Sequence, residues 1–283
     1  MAAQGGQAVS GRSTTANTQY LYNTARPYSL IRMVRLRIKY EKVGAIRFAS
    51  HRDTIRLFRR TLAAGNVPVC YSHGFNPHPR LSFGPSLRTG WEGLGECMDV
   101  LLERPVLDFG AACNAGLPEG LRIVETADVE PSVPKLSNDV KAARYAVFVD
   151  RRNPVAAIPG AEGTAAARGS GGPTNSAVGP TRRPELEAMI REHVLNEDRD
   201  GEHADDPELL ELEIIEGTGG IEIDYMSSMH QGRSIFPEAL LEPLCGDPGG
   251  LEIPIKVVRQ GLYVERDGSY ISPVSKGAVQ GKS

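Results

Sequence analysis

The sequence predicts an α+β protein made of two tandem βαββαβ units, and three observations carry that prediction. Apolar and polar residues alternate, the period of a half-buried strand, from Val34, and a second strand run opens at Arg144. Each opening run is followed by helix-spaced residues, two more strand runs, a second helix and a last strand. Two low-complexity stretches fall outside this plan: a polar tail over 1–32, and a Gly/Ala/Pro/Ser/Thr-rich insertion over 153–183. Both are expected to be disordered. The chain has 283 residues, 40% of them hydrophobic and 24% charged, enough for two modest globular domains. We place the domains at 33–130 and 139–272, with a loose tail over 273–283.

The first unit opens with Val34-Arg35-Leu36-Arg37-Ile38-Lys39-Tyr40, a strand broken at Gly44 and resumed by Ile46-Arg47-Phe48. Ser50 then reads as an N-cap with Asp53 three residues on, a capping box. The helix runs to about Ala64 and leaves through Gly65-Asn66. Ile55, Phe58 and Leu62 share one arc of it, and Arg52, Arg56 and Arg59 another, with Arg60 at the edge. Val67–Tyr71 reads as a strand and Ser72–Pro79 as a loop. Leu81–Phe83 and Cys97–Leu102 read as strands, Leu107–Leu117 as a short helix and Leu121–Val124 as the closing strand.

The second unit begins with the strand Arg144–Val149, and a linker near Pro131–Asn138 joins the two. Beyond the insertion, Pro184 suits the first turn of a helix, in which Leu186, Met189, Ile190, His193 and Val194 fall at helical spacing. Asn196–Glu208 is an acidic, solvated loop. Leu210–Ile215 and Ile221–Tyr225 form a hairpin around Gly217, Gly219 and Gly220. Phe236–Leu244 is a short helix and Ile253–Val264 the last strand. The fold class is therefore α+β, two tandem ferredoxin-like domains with a disordered N-terminal tail and an internal disordered insertion.

Composition narrows the functional classes. No run of about 18 apolar residues exists, so no membrane span or membrane partner is expected. The N-terminus lacks an apolar secretory core, and Met33 is a candidate start of translation beside Met1. Cys70, Cys97, Cys113 and Cys245 are scattered, without CxxC or Cys/His metal spacing. Packed thiols in a reduced, cytoplasmic setting are expected, with no metal site. The CxxxCxxC spacing of a radical SAM cluster is absent, so no cofactor is expected on this chain.

Charge is uneven. The net formal charge is -3, yet eleven Lys/Arg face three acids (Glu41, Asp53, Glu92) between Val34 and Glu92. A local basic segment points to an anionic partner. Arg52, Arg56, Arg59 and Arg80 are candidate phosphate ligands, because the guanidinium fork matches phosphate oxygens. Strand residues Arg35, Arg37, Lys39 and Arg47 add to the same basic module. The competing reading of the helix row is a solvated face. His51, after the cap, suits either a neutral ligand-facing imidazole or a packed histidine. His78, between Pro77 and Pro79, suits either an oriented functional side chain or a turn residue. With Asp53 or Asp99, His51 and His78 are also candidates for acid–base work. Gly74 and Asn76 are expected to supply positive φ, and backbone amides near Ser50 and Gly74 a nest for an anion. Tyr71, Phe75 and Phe83 read as core residues, with base stacking as the alternative.

These residues resemble a known family. Lys39-Tyr40, Gly44, Arg47-Phe48, Ser50-His51-x-Asp53, Gly74-Phe75-Asn76-Pro77-His78-Pro79 and Glu96-x-x-Asp99 are similar to the bacterial radical-SAM-linked family of uncharacterised proteins. The resemblance runs over about 34–270 and is densest from 39 to 103. Arg52 stands where that family usually has Leu, and His73 where Gln is common. The resemblance implies a radical SAM protein as partner and a setting near RNA processing. It assigns no reaction. The resulting expectation is an accessory module without activity of its own. RNA or another phosphorylated ligand would lie in a basic cleft, its phosphates on Arg52, Arg56, Arg59 and Arg80, and His51, Asn76 and His78 would orient it. The alternatives are a metal-independent ribonuclease using His51 and His78, and a protein-binding adaptor.

Overall fold

A computed structural model describes residues 33–150, 181–197, 206–217, 220–245 and 255–280. The tail expected over 1–32 lies outside them, as do most of the insertion expected over 153–183 and residues 198–205 of the acidic loop. The architecture is mixed α+β, with ten strands of the described residues in one sheet. The strands are β1 Val34–Lys42, β2 Leu81–Phe83, β3 Glu92–Leu102, β4 Leu121–Val129, β5 Val140–Asp150, β6 Thr181–Arg182, β7 Leu209–Gly217, β8 Gly220–Ser228, β9 Ile255–Arg266 and β10 Ser269–Ile271. The helices are α1 His51–Ala64, α2 Phe109–Asn114, α3 Leu136–Asp139, α4 Pro184–Glu197, α5 Pro237–Cys245 and α6 Lys276–Val279.

The strand order is β4-β1-β3-β9-β5-β8-β7-β6, with β2 also on β3 and β10 also on β9. Within 33–130 the pairs β4·β1, β1·β3 and β3·β2 are all antiparallel, and so are β9·β5, β5·β8 and β8·β7 in the second stretch. The two stretches meet in a short parallel contact, Glu92↔Val258 and Gly93↔Arg259.

Alternation builds the first core. Leu36, Ile38 and Tyr40 of β1 pack with Phe58 and Leu62 of α1 and with Met98 and Val100 of β3. Burying a ring or branched chain such as Phe58 or Leu62 contributes about 1.5–3 kcal/mol each. The second core gathers Tyr145, Ile190, Ile214, Ile223, Tyr225, Leu240 and Val257, and β3 contributes Cys97 to it. Successive residues of β3 thus serve both cores, Cys97 one and Met98 the other, as a period-two strand requires.

Several elements differ from the sequence expectation. Ile46–Phe48 lies in a 3-10 helix, Gly44–Phe48, rather than a strand. Gly44 turns the chain at φ +66°, and the buried Lys42 ammonium donates to the carbonyls of Arg47 and Ala49, at 3.3 and 2.6 Å, which folds the segment back. Val67–Tyr71 makes only isolated bridges, Val69 to Leu102 and Tyr71 to Pro79. Pro68 has no N–H to give a ladder. The helix expected over Leu107–Leu117 is confined to α2. The tail expected to be loose after Pro273 is packed as far as Val279: Val274, Ala278 and Val279 are buried, and Glu130 N–H donates to the Val279 carbonyl at 2.9 Å. No helix among the described residues is long and apolar enough to cross a membrane.

Candidate functional site

The N-terminus of α1 is built by local chemistry. Asp53 N–H donates to Ser50 Oγ at 3.2 Å, and the Ser50 hydroxyl donates to Asp53 Oδ2 at 2.7 Å. Arg56 adds a contact to Asp53 Oδ1 at 3.1 Å. The Ser50 hydrogen bond is the main reason that the Asp53 pKa lies below its ordinary value, with Arg56 helping. Ser50 and Asp53 therefore complete the cap.

His51 turns inward. Its ring meets Phe83 edge-on, centroids 5.4 Å apart at 86°, and Phe83 packs in turn with Tyr40 and Phe58. Burial lowers the His51 pKa; the nearby Glu96 acts in the opposite sense, and Lys42 and Arg259 add to the lowering. The imidazole is thus neutral at pH 7. Phe83 is a core ring here, whereas Tyr71 and Phe75 are exposed, contrary to the reading of both as core.

Beside His51 lies a pair that the sequence did not disclose. Arg259 donates through Nε and Nη2 to the two carboxylate oxygens of Glu96, at 2.8 and 2.5 Å, and also to the Pro85 carbonyl at 2.8 Å. Both residues are buried. Glu96 stands in the Glu96-x-x-Asp99 motif, Arg259 in no motif, and Gly93-Leu94-Gly95 precedes Glu96. A Cβ on Gly93 would lie 2.7 Å from the Glu96 side chain, and one on Gly95 would lie 2.7 Å from the Gln260 carbonyl.

Arg35, Arg37 and Arg47, three of the four strand basics, are engaged internally. Arg37 is fully buried, directly opposite Asp99 in register, and binds Asp99 at 2.8 Å and Asp139 at 3.1 Å. Arg266 takes the other side of Asp139 at 2.8 Å. Arg35 donates to the carbonyls of Glu130 and Val133, and Arg47 contacts Glu92 at 3.4 Å. Arg35 and Arg37 are thus removed from the basic surface expected of them. Asp99 is likewise committed to Arg37.

The arginine row of α1 is different. Arg52, Arg56 and Arg60 are exposed and Arg59 half-buried. Among the described residues, Arg52, Arg59 and Arg60 have no acidic partner, and Arg59 Nε is enclosed without a hydrogen bond. Arg80 is exposed and also lacks an acid partner among the described residues.

The proline loop is pinned through its main chain. Ser72 N–H donates to the His78 carbonyl at 2.8 Å, and His78 N–H donates to Ser72 Oγ at 3.0 Å. Gly74 holds φ +129° as expected, whereas Asn76 has no positive φ. Residues 71–78 are all exposed. No hydrogen bond, ion pair or ring contact among the described residues joins the His78 ring to His51, Asp53 or Asp99. No group of three or more His, Cys, Asp or Glu among the described residues is placed to hold a metal ion.

No curated protein matches the chain. Among solved structures it is similar to an unknown protein from Galdieria sulphuraria, at 11% identity over 80% of this chain and 98% of that one, with a TM-score of 0.21. Residues 35–170 match a family described as an uncharacterized protein conserved in bacteria (DUF2344). That stretch holds α1, the proline loop and Glu96.

Proposed function

We propose that this protein is a binding module that takes RNA or another phosphate-bearing ligand on the outer face of α1. One observation carries the reading: the basic residues fall into two populations. Arg35, Arg37, Arg259 and Arg266 are consumed by buried acids and carbonyls. Arg52, Arg59, Arg60 and Arg80 lack acid partners among the described residues, and Arg52, Arg60 and Arg80 face solvent. Arg52, Arg56, Arg59 and Arg60 fall at i, i+4, i+7 and i+8, one stripe about 12 Å long at about 1.5 Å per residue. A stripe of guanidinium forks along a helix suits successive phosphates. Arg80 extends the basic surface from β2. Asn76 and His78, exposed on the proline loop, orient the ligand, while His51 packs inward against Phe83.

The fold reading that goes with this is a tandem pair of ferredoxin-like units. The antiparallel orders β4-β1-β3-β2 and β9-β5-β8-β7 support it, each with the first and third strands of its unit at the centre. The partner is a radical SAM protein, a reading supported by the Ser50-His51-x-Asp53 and Gly74–Pro79 motifs; co-purification tests it.

Filter binding to total RNA over a salt series tests the ligand. Affinity should fall steeply with salt, and the variant carrying Arg52→Gln, Arg56→Gln and Arg59→Gln should lose about 2 from the log–log slope, at about 0.7 per phosphate. Absence of retention at low salt would remove the reading.

A further inference from the structure

We infer that the ligand is a single-stranded nucleic acid, whose bases stack on two arginine-backed rings, Phe48 and Phe236. The inference rests on the reading that α1 takes phosphate. Beside Tyr71 and Phe75 of the proline loop, Phe48 and Phe236 also reach solvent, at 62% and 46% exposure. Each is braced by a guanidinium. Arg47 Cζ lies 4.7 Å from the Phe48 centroid. Arg88 Cζ is shared between two rings, 5.0 Å from Phe236 and 5.3 Å from Trp91. The braces are themselves held, Arg47 by Glu92 at 3.4 Å and Arg88 by Glu238 at 2.9 Å. The rings are thereby ordered before any ligand arrives, which lowers the entropy lost on binding.

Their placement fits one path. Phe48 closes the 3-10 helix two residues before the Ser50 cap, at the start of the arginine row. Gly90 N–H donates to the Arg47 carbonyl at 2.9 Å, and a Cβ on Gly90 would lie 3.9 Å from Phe48 Cε1. The turn from Arg88 to Trp91 therefore links the Phe48 ring to Arg88 and Phe236. Phe236 immediately precedes α5, so the two platforms come from the two stretches that meet at β3 and β9.

Charge separates the tasks. Around the rings, Glu238 balances Arg88, and Glu92 is shared by Arg47 at 3.4 Å and Lys256 at 2.9 Å, which leaves less excess positive charge there than along α1. The excess charge lies on α1. Stacking rings beside a cationic track are what unpaired nucleotides need, since every base offers a π face. A duplex hides those faces within its own stack.

Fluorescence anisotropy with a labelled single-stranded RNA, and with the same RNA annealed to its complement, tests this. Trp91 is the single tryptophan of the chain and serves as an internal reporter. The single strand should bind more tightly than the duplex and quench Trp91. Phe48→Ala and Phe236→Ala should each weaken it by about fivefold to a hundredfold with an unchanged salt slope. The triple arginine variant should lower the slope instead. Both rings are at the surface, and thermal melts should show the variants folded. Equal binding of strand and duplex, or Phe variants that bind like the wild type, would overturn the stacking and leave the phosphate reading standing. Binding of neither nucleic acid would remove both readings.

Discussion

Glu96→Gln is the substitution whose effect follows most directly from the structure. The new amide would keep the shape and one acceptor oxygen but lose the charge and the second acceptor. Arg259 is 2% exposed and would stay inside. Burial acts to lower the Arg259 pKa, but attraction and hydrogen bonding from Glu96 outweigh it and hold the pKa above its ordinary value. In the variant the guanidinium stays charged, with the amide oxygen, the carbonyls of Pro85 and Ser86 and the Tyr145 hydroxyl, all uncharged, to receive it. Leaving a buried charge without its counter-ion costs about 3–5 kcal/mol. For a folded unit of this size, about 2–4 °C of melting temperature goes with each kcal/mol, so Tm should fall by about 6–20 °C. Circular dichroism melts give the measurement. The double variant Glu96→Gln, Arg259→Met should recover much of the loss, because no charge is then stranded. A Glu96→Gln protein melting within about 2 °C of the wild type would refute the argument.

Three further outcomes follow from the same geometry. Burial lowers the His51 pKa below its unfolded value of about 6.5, so the unfolded chain binds more protons between the two values. Stability should therefore rise with pH through that window and lose this dependence above it. His51→Gln should flatten the trend in urea melts, and an unchanged trend would count against a buried imidazole. Burial pushes the Cys97 thiol up to about 12 and Cys113 up to about 11. Both should resist iodoacetamide at pH 8 in the native protein and react in urea, as read by peptide mass spectrometry. Gly95→Ala would set a methyl 2.7 Å from the Gln260 carbonyl and the Gly261 Cα, costing about 1–3 kcal/mol, while Gly217→Ala, with nothing within 4 Å, should melt like the wild type.

What the sequence disclosed and what it hid divide along chemical range. The α1 cap was legible because Ser50 and Asp53 satisfy each other within one turn. The buried arc of Phe58 and Leu62 was legible because the helical period is local. The strand basics misled for the same reason: Arg35 and Arg37 alternate with apolar residues, which reads as a wet face. That face is covered by Val133, Leu136 and Asp139, and the chain segment carrying the cover is about a hundred residues away. The Glu96–Arg259 pair depends on which edges of the two stretches meet, which no local pattern encodes. Phe48 was read as a strand residue because the Lys42 ammonium that folds its segment acts through backbone carbonyls, which carry no sequence signature.

The position of β9 governs how the molecule can be assembled on the ribosome. It is made late, yet it is inserted between β3 and β5, near the middle of the completed sheet. Until residues 255–266 emerge, the nascent chain carries an open edge on each stretch and an acid at Glu96 awaiting its cation. Stopping synthesis before Ile255 would leave a polypeptide with two unzipped seams, a form prone to sticking to its neighbours. Closing the sheet therefore depends on one strand, far in sequence from β3, that pairs with both stretches.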